Sequence, residues 1–167
     1  MTWPAAMSCP ERPCRQLTID DCQQKLLTFI NTFMNRNYLS NAIRSLAEKH
    51  DISFVEASAH DFAGSVAAYP FVWLEPVVLQ SKSGRRHGRI IYSVRLHLMH
   101  DGVRLPPAER RRIFDESERL LLEIFTELST DERIACVDEL TVSVSQFAHT
   151  PHGEIAATAQ AEIETIY

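Results

Sequence analysis

The sequence predicts an α+β fold: a mostly antiparallel sheet of two hairpins, packed on one face by an N-terminal helical segment and a central long helix. Three observations carry this expectation. RIIYSVRLHLMH (89–100) and EIAATAQAEIETIY (154–167) alternate apolar and polar residues with the period of a strand. AERRRIFDESERLLLEIFTELS (108–129) repeats its apolar residues with the period of a helix. Each strand segment has one apolar and one polar face, as in an antiparallel sheet covered on one side. At 167 residues with 45% hydrophobic content, the chain is long enough for one core and short for two. The expected division is an arm over 1–17 and a single α+β domain over 18–167.

The arm is predicted to be flexible, because it contains three prolines and no sustained periodicity. Cys9 and Cys14 are spaced as in the first half of a zinc site, but no matching Cys/His pair follows. Cys22 and Cys136 sit among apolar residues and are read as small core hydrophobes. Thr18 followed by Asp21 resembles an N-cap with an acidic first turn, and Ile19, Cys22, Leu26, Phe29, Ile30 and Phe33 recur at helical spacing. The pattern breaks at Asn35 to Asn37 and resumes with Tyr38, Leu39, Ala42, Ile43 and Leu46. Either one bent helix or two short ones fits.

DISFVEASAHDFAG (51–64) opens with a short strand-like alternation and decays into an irregular connection. YPFVWLEPVVLQ (69–80) reads as a strand in which Pro70 and Pro76 remove backbone donors, placing it at an edge or on a bulge. It pairs with 89–100, where Ile90, Tyr92, Val94, Leu96 and Leu98 face the core and Ser93, Arg95 and His97 face water. The connection SKSGRRHG concentrates Lys82, Arg85, Arg86 and His87 beside Arg89. It is either a solvated turn or a basic finger that meets an acidic protein surface or nucleic acid.

Pro106 and Pro107 open the central helix. Its inward face is Ile113, Ser117, Leu120, Leu121, Ile124 and Leu128, with Phe114 and Phe125 broadening it. Arg110, Arg111, Asp115, Glu118 and Glu127 face away. Arg110 to Arg112 lie at the helix end where the macrodipole disfavours cations, so acidic neighbours are expected. IACVDEL and LTVSVSQFAH, the turn TPHG and the terminal segment form the second hairpin. On the last strand Ile155, Ala157, Ala159, Ala161 and Ile163 share a face whose small side chains let a helix approach closely.

Lys plus Arg of 17 against Asp plus Glu of 22 gives a net charge of −5, the opposite of a generic nucleic-acid coat. No apolar run approaches the length of a membrane span, and MTWPAAMSCPERPCRQ lacks a basic region followed by an apolar one, so the cytoplasm is the expected compartment. Phosphate-loop, dinucleotide, zincin and nucleophile-elbow motifs are absent, and no catalytic, cofactor or metal residue is assigned. His97 and His100 point to opposite faces if they lie on one strand, and His149 and His152 straddle a turn. His60 and Asp61 define no triad by themselves. Nucleic-acid binding would use the basic turn and Arg110 to Arg112, with Trp73 and Tyr92 as stacking partners. Two hairpins, a basic tip, an edge strand and an arm are devices for assembly instead.

YPFVWLEP, IIYSVRLHLMH, RRRIFDESERLLLEIFTEL, LTVSVSQF and GEIAATAQAEIETIY together resemble tailed-phage tail-completion or tail-terminator proteins. The likeness is to the small α+β ring-forming neck proteins of phages and prophages of Bacteroidetes-type bacteria. It covers Leu26 to Tyr167 and rests on element order and hydrophobic phrasing. The resemblance implies a virion protein with no enzymatic activity and no cofactor. Such a protein forms a ring, usually hexameric, that ends the tail tube and joins it to the head connector. Its partners would be copies of itself, the tail tube protein and the connector protein, with DNA only passing through the channel and no membrane. Head-tail adaptors and tube-cap subunits of contractile devices are close neighbours. Lys82, Arg85, Arg86, His87, Arg89, Arg110 and Arg111 are the candidate partner contacts. The tip and the arm would serve axial contacts, and the final strand or the central helix a lateral one.

Overall fold

The computed structural model describes residues 35–59, 61, 68–84, 88–102, 105–145 and 154–166. The arm over 1–17, the helical stretch from Ile19 to Phe33, Cys9, Cys14, Cys22, His60, His149 and His152 lie outside the described residues.

A helix over 35–49 (α1) buries Leu39, Ile43 and Ala47, one residue per turn of the apolar stripe. Its end is fixed by two reversed hydrogen bonds, Ile52 N–H to the Ala47 carbonyl at 3.0 Å and Asp51 N–H to the Glu48 carbonyl at 3.0 Å. Asp51 takes the left-handed conformation between them, with φ of 57°, where glycine is the usual occupant.

The sheet contains β1 (Ser53–Glu56), β2 (Phe71–Leu74), β3 (Val78–Ser83), β4 (Arg89–His100), β5 (Ile134–Ser145) and β6 (Ile155–Ile166), with α2 (Pro107–Leu128) between β4 and β5. The strand order is β1-β2-β4-β6-β5, and β3 also pairs with β4. All pairs are antiparallel except β1 with β2, so the fold is α+β with a mostly antiparallel sheet. The irregular connection expected over 51–64 is corrected at its start. Phe54 and Val55 align with Val72 and Trp73, and that pairing makes a strand of the short alternation.

Pro76 divides the 69–80 segment as its missing N–H requires. Glu75 N–H still reaches the Arg95 carbonyl at 3.1 Å, the ladder lapses, and β3 resumes it opposite Ser93. Of the two halves of this segment, β3 lies at an edge and β2 lies inside the sheet, between β1 and β4.

Val72, Leu74, Ile90, Tyr92, Val94, Leu96, Leu98, Ala157, Ala159, Ala161 and Ile163 form the covered face of the sheet, and α1 and α2 pack against it. α2 contributes Leu121, Ile124, Phe125 and Leu128 to this core and lies over β5 and β6. The alanines of β6 give it the close approach that larger side chains would block. Each fully buried Leu or Ile contributes about 1.5–3 kcal/mol of transfer free energy, so this layer is the main source of stability. α2 has no side-chain N-cap, and its start is closed by Arg110 N–H on the Pro106 carbonyl at 3.0 Å.

Two expectations are corrected on the far face. His97 is 4% exposed and Met99 is fully buried, because Phe71, Trp73, Met99 and Ala156 form a second apolar cluster there. The wet character expected of that face holds for Arg95 and Gln160. Cys136 is half-buried rather than in the core: bulges on both sides of it set its register opposite Glu164, on the far face. A hydrogen bond with the Asp138 carboxylate raises its thiol pKa, with burial adding to the effect.

Candidate functional site

The residues assigned to partner contact do not form one patch. Lys82 is half-buried on β3 opposite Ile90. Arg89 opens β4 and its guanidinium meets Glu164 of β6 at 2.9 Å. Arg85, Arg86 and His87 lie outside the described residues. Arg110 and Arg111 sit at the other end of the sheet. Ser117, in the first half of α2, bonds His100 at the end of β4, whereas Leu128 leads into Ile134, level with Thr165 and Ile90. Arg110 is partly buried and donates to the Leu105 carbonyl at 3.4 Å; Arg111 is exposed. The expected acidic neighbours serve Arg112, which lies 3.0 Å from Glu116 and 4.0 Å from Glu109.

The sheet presents two unlike margins. β3 pairs only with β4 and β5 only with β6 among the described residues, so each has one row of backbone groups facing outward. Val78 and Leu79 on β3 are 54% and 39% exposed, and Val144 on β5 is 47% exposed. β3 runs antiparallel to β4, β4 to β6 and β6 to β5. β3 and β5 therefore point in opposite directions at opposite sides of the sheet.

α2 faces outward with Leu122, 41% exposed, in a shallow cleft of about 480 Å³ bordered by Asp115, Glu118, Glu123 and Glu127. Arg119 is bound to Glu123 at 3.3 Å and Glu127 to Lys49 of α1 at 2.7 Å. The Lys49 ammonium lowers the Glu127 pKa. A second cleft, about 780 Å³, runs between α1 and the end of α2 past Tyr38 and Asp131. The Tyr38 hydroxyl donates to Asp131, which raises the phenol pKa, and the Arg133 guanidinium lies 4.4 Å from the same ring.

A polar network missed by sequence reasoning occupies the far face. The His97 Nδ1 lies 2.8 Å from the Thr158 hydroxyl and its Nε2 lies 2.8 Å from the Glu75 carboxylate. Neutral imidazole satisfies both by donating from Nε2 and accepting at Nδ1. Arg95 joins through Glu75 at 3.5 Å and Gln160 at 3.0 Å. The Trp73 indole covers the imidazole and donates to the Ala57 carbonyl at 2.9 Å. With both ring nitrogens engaged and one ring face covered, this histidine is arranged to tie β2, β4 and β6 together rather than to exchange a proton with a substrate. Nearby, Tyr69 donates to the buried Glu154 at 2.9 Å; burial, then this bond, raises the phenol pKa strongly. The signal for the network was the even spacing that puts Arg95 and His97 on one face, but Glu75 enters only through the lapse at Pro76.

Two further expectations can be placed. Trp73 and Tyr92 are 3% and 0% exposed, so neither is available to stack on a base, because both are packed within the sheet. His97 and His100 do face opposite sides, the first toward Trp73 and the second toward Ser117. No group of His, Cys, Asp or Glu that could hold a metal occurs among the described residues. No described helix is long and apolar enough to cross a membrane. Neither a family model nor a curated protein matches the chain.

Proposed function

We propose that the protein is a structural subunit of a ring that terminates a phage tail tube and joins it to the head connector. The observation that carries this reading is the pair of unlike open edges, β3 with Val78 and Leu79 and β5 with Val144, on opposite sides of one sheet. A surface that meets a different surface on the next copy generates a ring when its rotation closes. Because the two edge strands point in opposite directions, the β3 edge of one copy meets the β5 edge of the next as an antiparallel pair, continuing the alternation within the chain. The resemblance in element order and phrasing supplies the context of a tail. It points to a hexamer bound to tail tube protein on one annular face and to connector protein on the other, with DNA passing through the channel. The chain would assemble in the host cytoplasm, carry out no reaction and end in the virion.

Sedimentation velocity over a range of concentrations tests the assembly. The wild-type chain is expected to form one closed species, alone or when mixed with tail tubes. Leu79→Lys and Val144→Lys are each expected to reduce it to a folded monomer. A wild-type chain that stays monomeric in both settings contradicts the reading.

A further inference from the structure

We propose that a notch in the margin of the sheet, outside β3 and next to the end of β1, is the seat of residues 141–145 from the β5 edge of a second copy. This rests on the ring reading and deepens it, by naming which segments of the two edges meet and in what register.

The notch follows from topology. β6 pairs along the whole of one side of β4, so β2 and β3 share the other side, β2 opposite 96–99 and β3 opposite 89–93. β1 lies outside β2 and is therefore in line with the place beside β3. Glu56 ends β1 level with Leu96, and the Ala57 N–H still reaches the Leu74 carbonyl at 3.3 Å. A strand laid against the outer row of β3 is thus stopped by the end of β1 just beyond Val78. Among the described residues β3 pairs only with β4.

β5 fits this seat by one end only. Over 141–145 it pairs with β6 without a break, whereas the ladder shifts between Ile134 and Cys136 and again between Asp138 and Thr141, with Glu139 at φ of 52°. Bulges of this kind disrupt the row of backbone groups that a straight partner needs. Placed with Ser145 opposite Val78, the segment runs antiparallel to β3 and stops where β1 begins. A joint at equal height is barred, because the end of β5, which lies level with 96–99, would overlap β1.

The side chains agree with this register. Val144 lies on the helix-covered face, opposite Ala157, and Leu79 lies on the same face, opposite Tyr92. Both are exposed in one chain and face each other across the joint, where contact removes both from water. Past the bulge between Leu79 and Ser81, Ser81 meets Ser143 on the far face, and both are exposed.

Closure supplies an independent argument. Ala157 stands opposite Leu98, six residues beyond Tyr92 on β4, so pairing Val144 with Leu79 shifts each copy along the strands by about 20 Å. β3, β4, β6 and β5 together are about 19 Å wide. The strands then tilt by roughly 45° from the ring axis, at the top of the range of about 35–45° in which sheets close on themselves. A joint at equal height would leave the strands upright, without the stagger that closure requires.

Cross-linking tests the register. In a chain whose Cys9, Cys14, Cys22 and Cys136 are replaced by serine, Leu79→Cys with Val144→Cys places two thiols across the joint. Leu79→Cys with Val137→Cys is the equal-height alternative, because Val137 and Leu79 are both level with Tyr92. A thiol cross-linker matched to the roughly 5 Å between facing Cβ atoms is expected to join the first pair at least about tenfold faster than the second. The product is expected to be a ladder of multimers ending at one closed species. If the serine background does not assemble, hydrogen exchange of the wild-type chain reads the same joint: assembly is expected to protect 78–83 and 141–145 and to leave 135–139 unchanged. Faster linking of the second pair, assembly with neither pair linked, or equal protection over 135–139 overturns the register while the ring reading stands. A wild-type chain that never assembles overturns both.

Discussion

The His97 imidazole lies almost parallel to the Trp73 indole, with ring centroids 4.4 Å apart and planes 20° from one another. The stack joins β2 to β4 on the face away from the helices, and the two ring nitrogens extend the link to Glu75 and Thr158. His97→Ala removes the stacked ring and takes a hydrogen-bond partner from the half-buried Thr158 hydroxyl and the Glu75 carboxylate, at a cost of about 2–3 kcal/mol. Urea unfolding should show a lower midpoint with an unchanged slope. A loss below about 0.5 kcal/mol, the size of an ordinary surface change, would contradict the role assigned to the network.

His100 supplies a pH dependence. Burial lowers its pKa from 6.5, against an opposing pull from Glu116. The folded state thus binds fewer protons than the unfolded state in the interval below 6.5. Its contribution to stability is present above the unfolded value and is lost as pH falls toward the folded one. Unfolding midpoints at pH 7.5 and pH 5.5 are expected to differ less in His100→Gln than in wild type. An equal difference would contradict the burial of the ring against α2 and Ser117.

The floor under α2 gives a packing test. Ala159 is fully buried, and Ala159→Leu is expected to cost about 1–3 kcal/mol by forcing the helix outward. Ala135, exposed on β5, is the control, and Ala135→Leu should change the thermal midpoint little.

Asp51 gives a test with the opposite sign. Its φ of 57° closes α1, and a side chain there carries a steric cost that glycine lacks. Asp51→Gly is expected to raise stability by up to about 1 kcal/mol, read from the urea midpoint. A clear destabilisation would mean that the Asp51 side chain itself holds the helix end.

The alanine run of β6 and the alternation of β4 were legible because one face of each strand is covered by helices, which imposes a strict period of two. The inward residues of α2 were legible for the same reason. His97 was not, because alternation assigns a residue to a face without saying what else covers that face. The second apolar cluster depends on Phe71 and Trp73 arriving from β2. Cys136 defeated the pattern through the bulges on either side of it, where two residues oppose one and parity is lost. Pro76 announced an interruption, yet only the paired register shows that its two sides occupy different positions, β2 inside the sheet and β3 at its edge. The candidate contact residues were half legible: the basic turn and Arg110 to Arg112 stand out in the sequence, but the placement of Arg89 and Arg110 at opposite ends of the sheet is a product of topology.

The most direct measurement of the central claim, that the chain ends and joins a phage tail, is electron microscopy of the particles produced when its gene is deleted from the genome that carries it. The account predicts filled heads without joined tails, together with tails that are overlong or uncapped, and recovery of joined particles when the wild-type gene is supplied in trans. Leu79→Lys, supplied in the same way, should fail. Normal joined virions in the deletion would contradict the account.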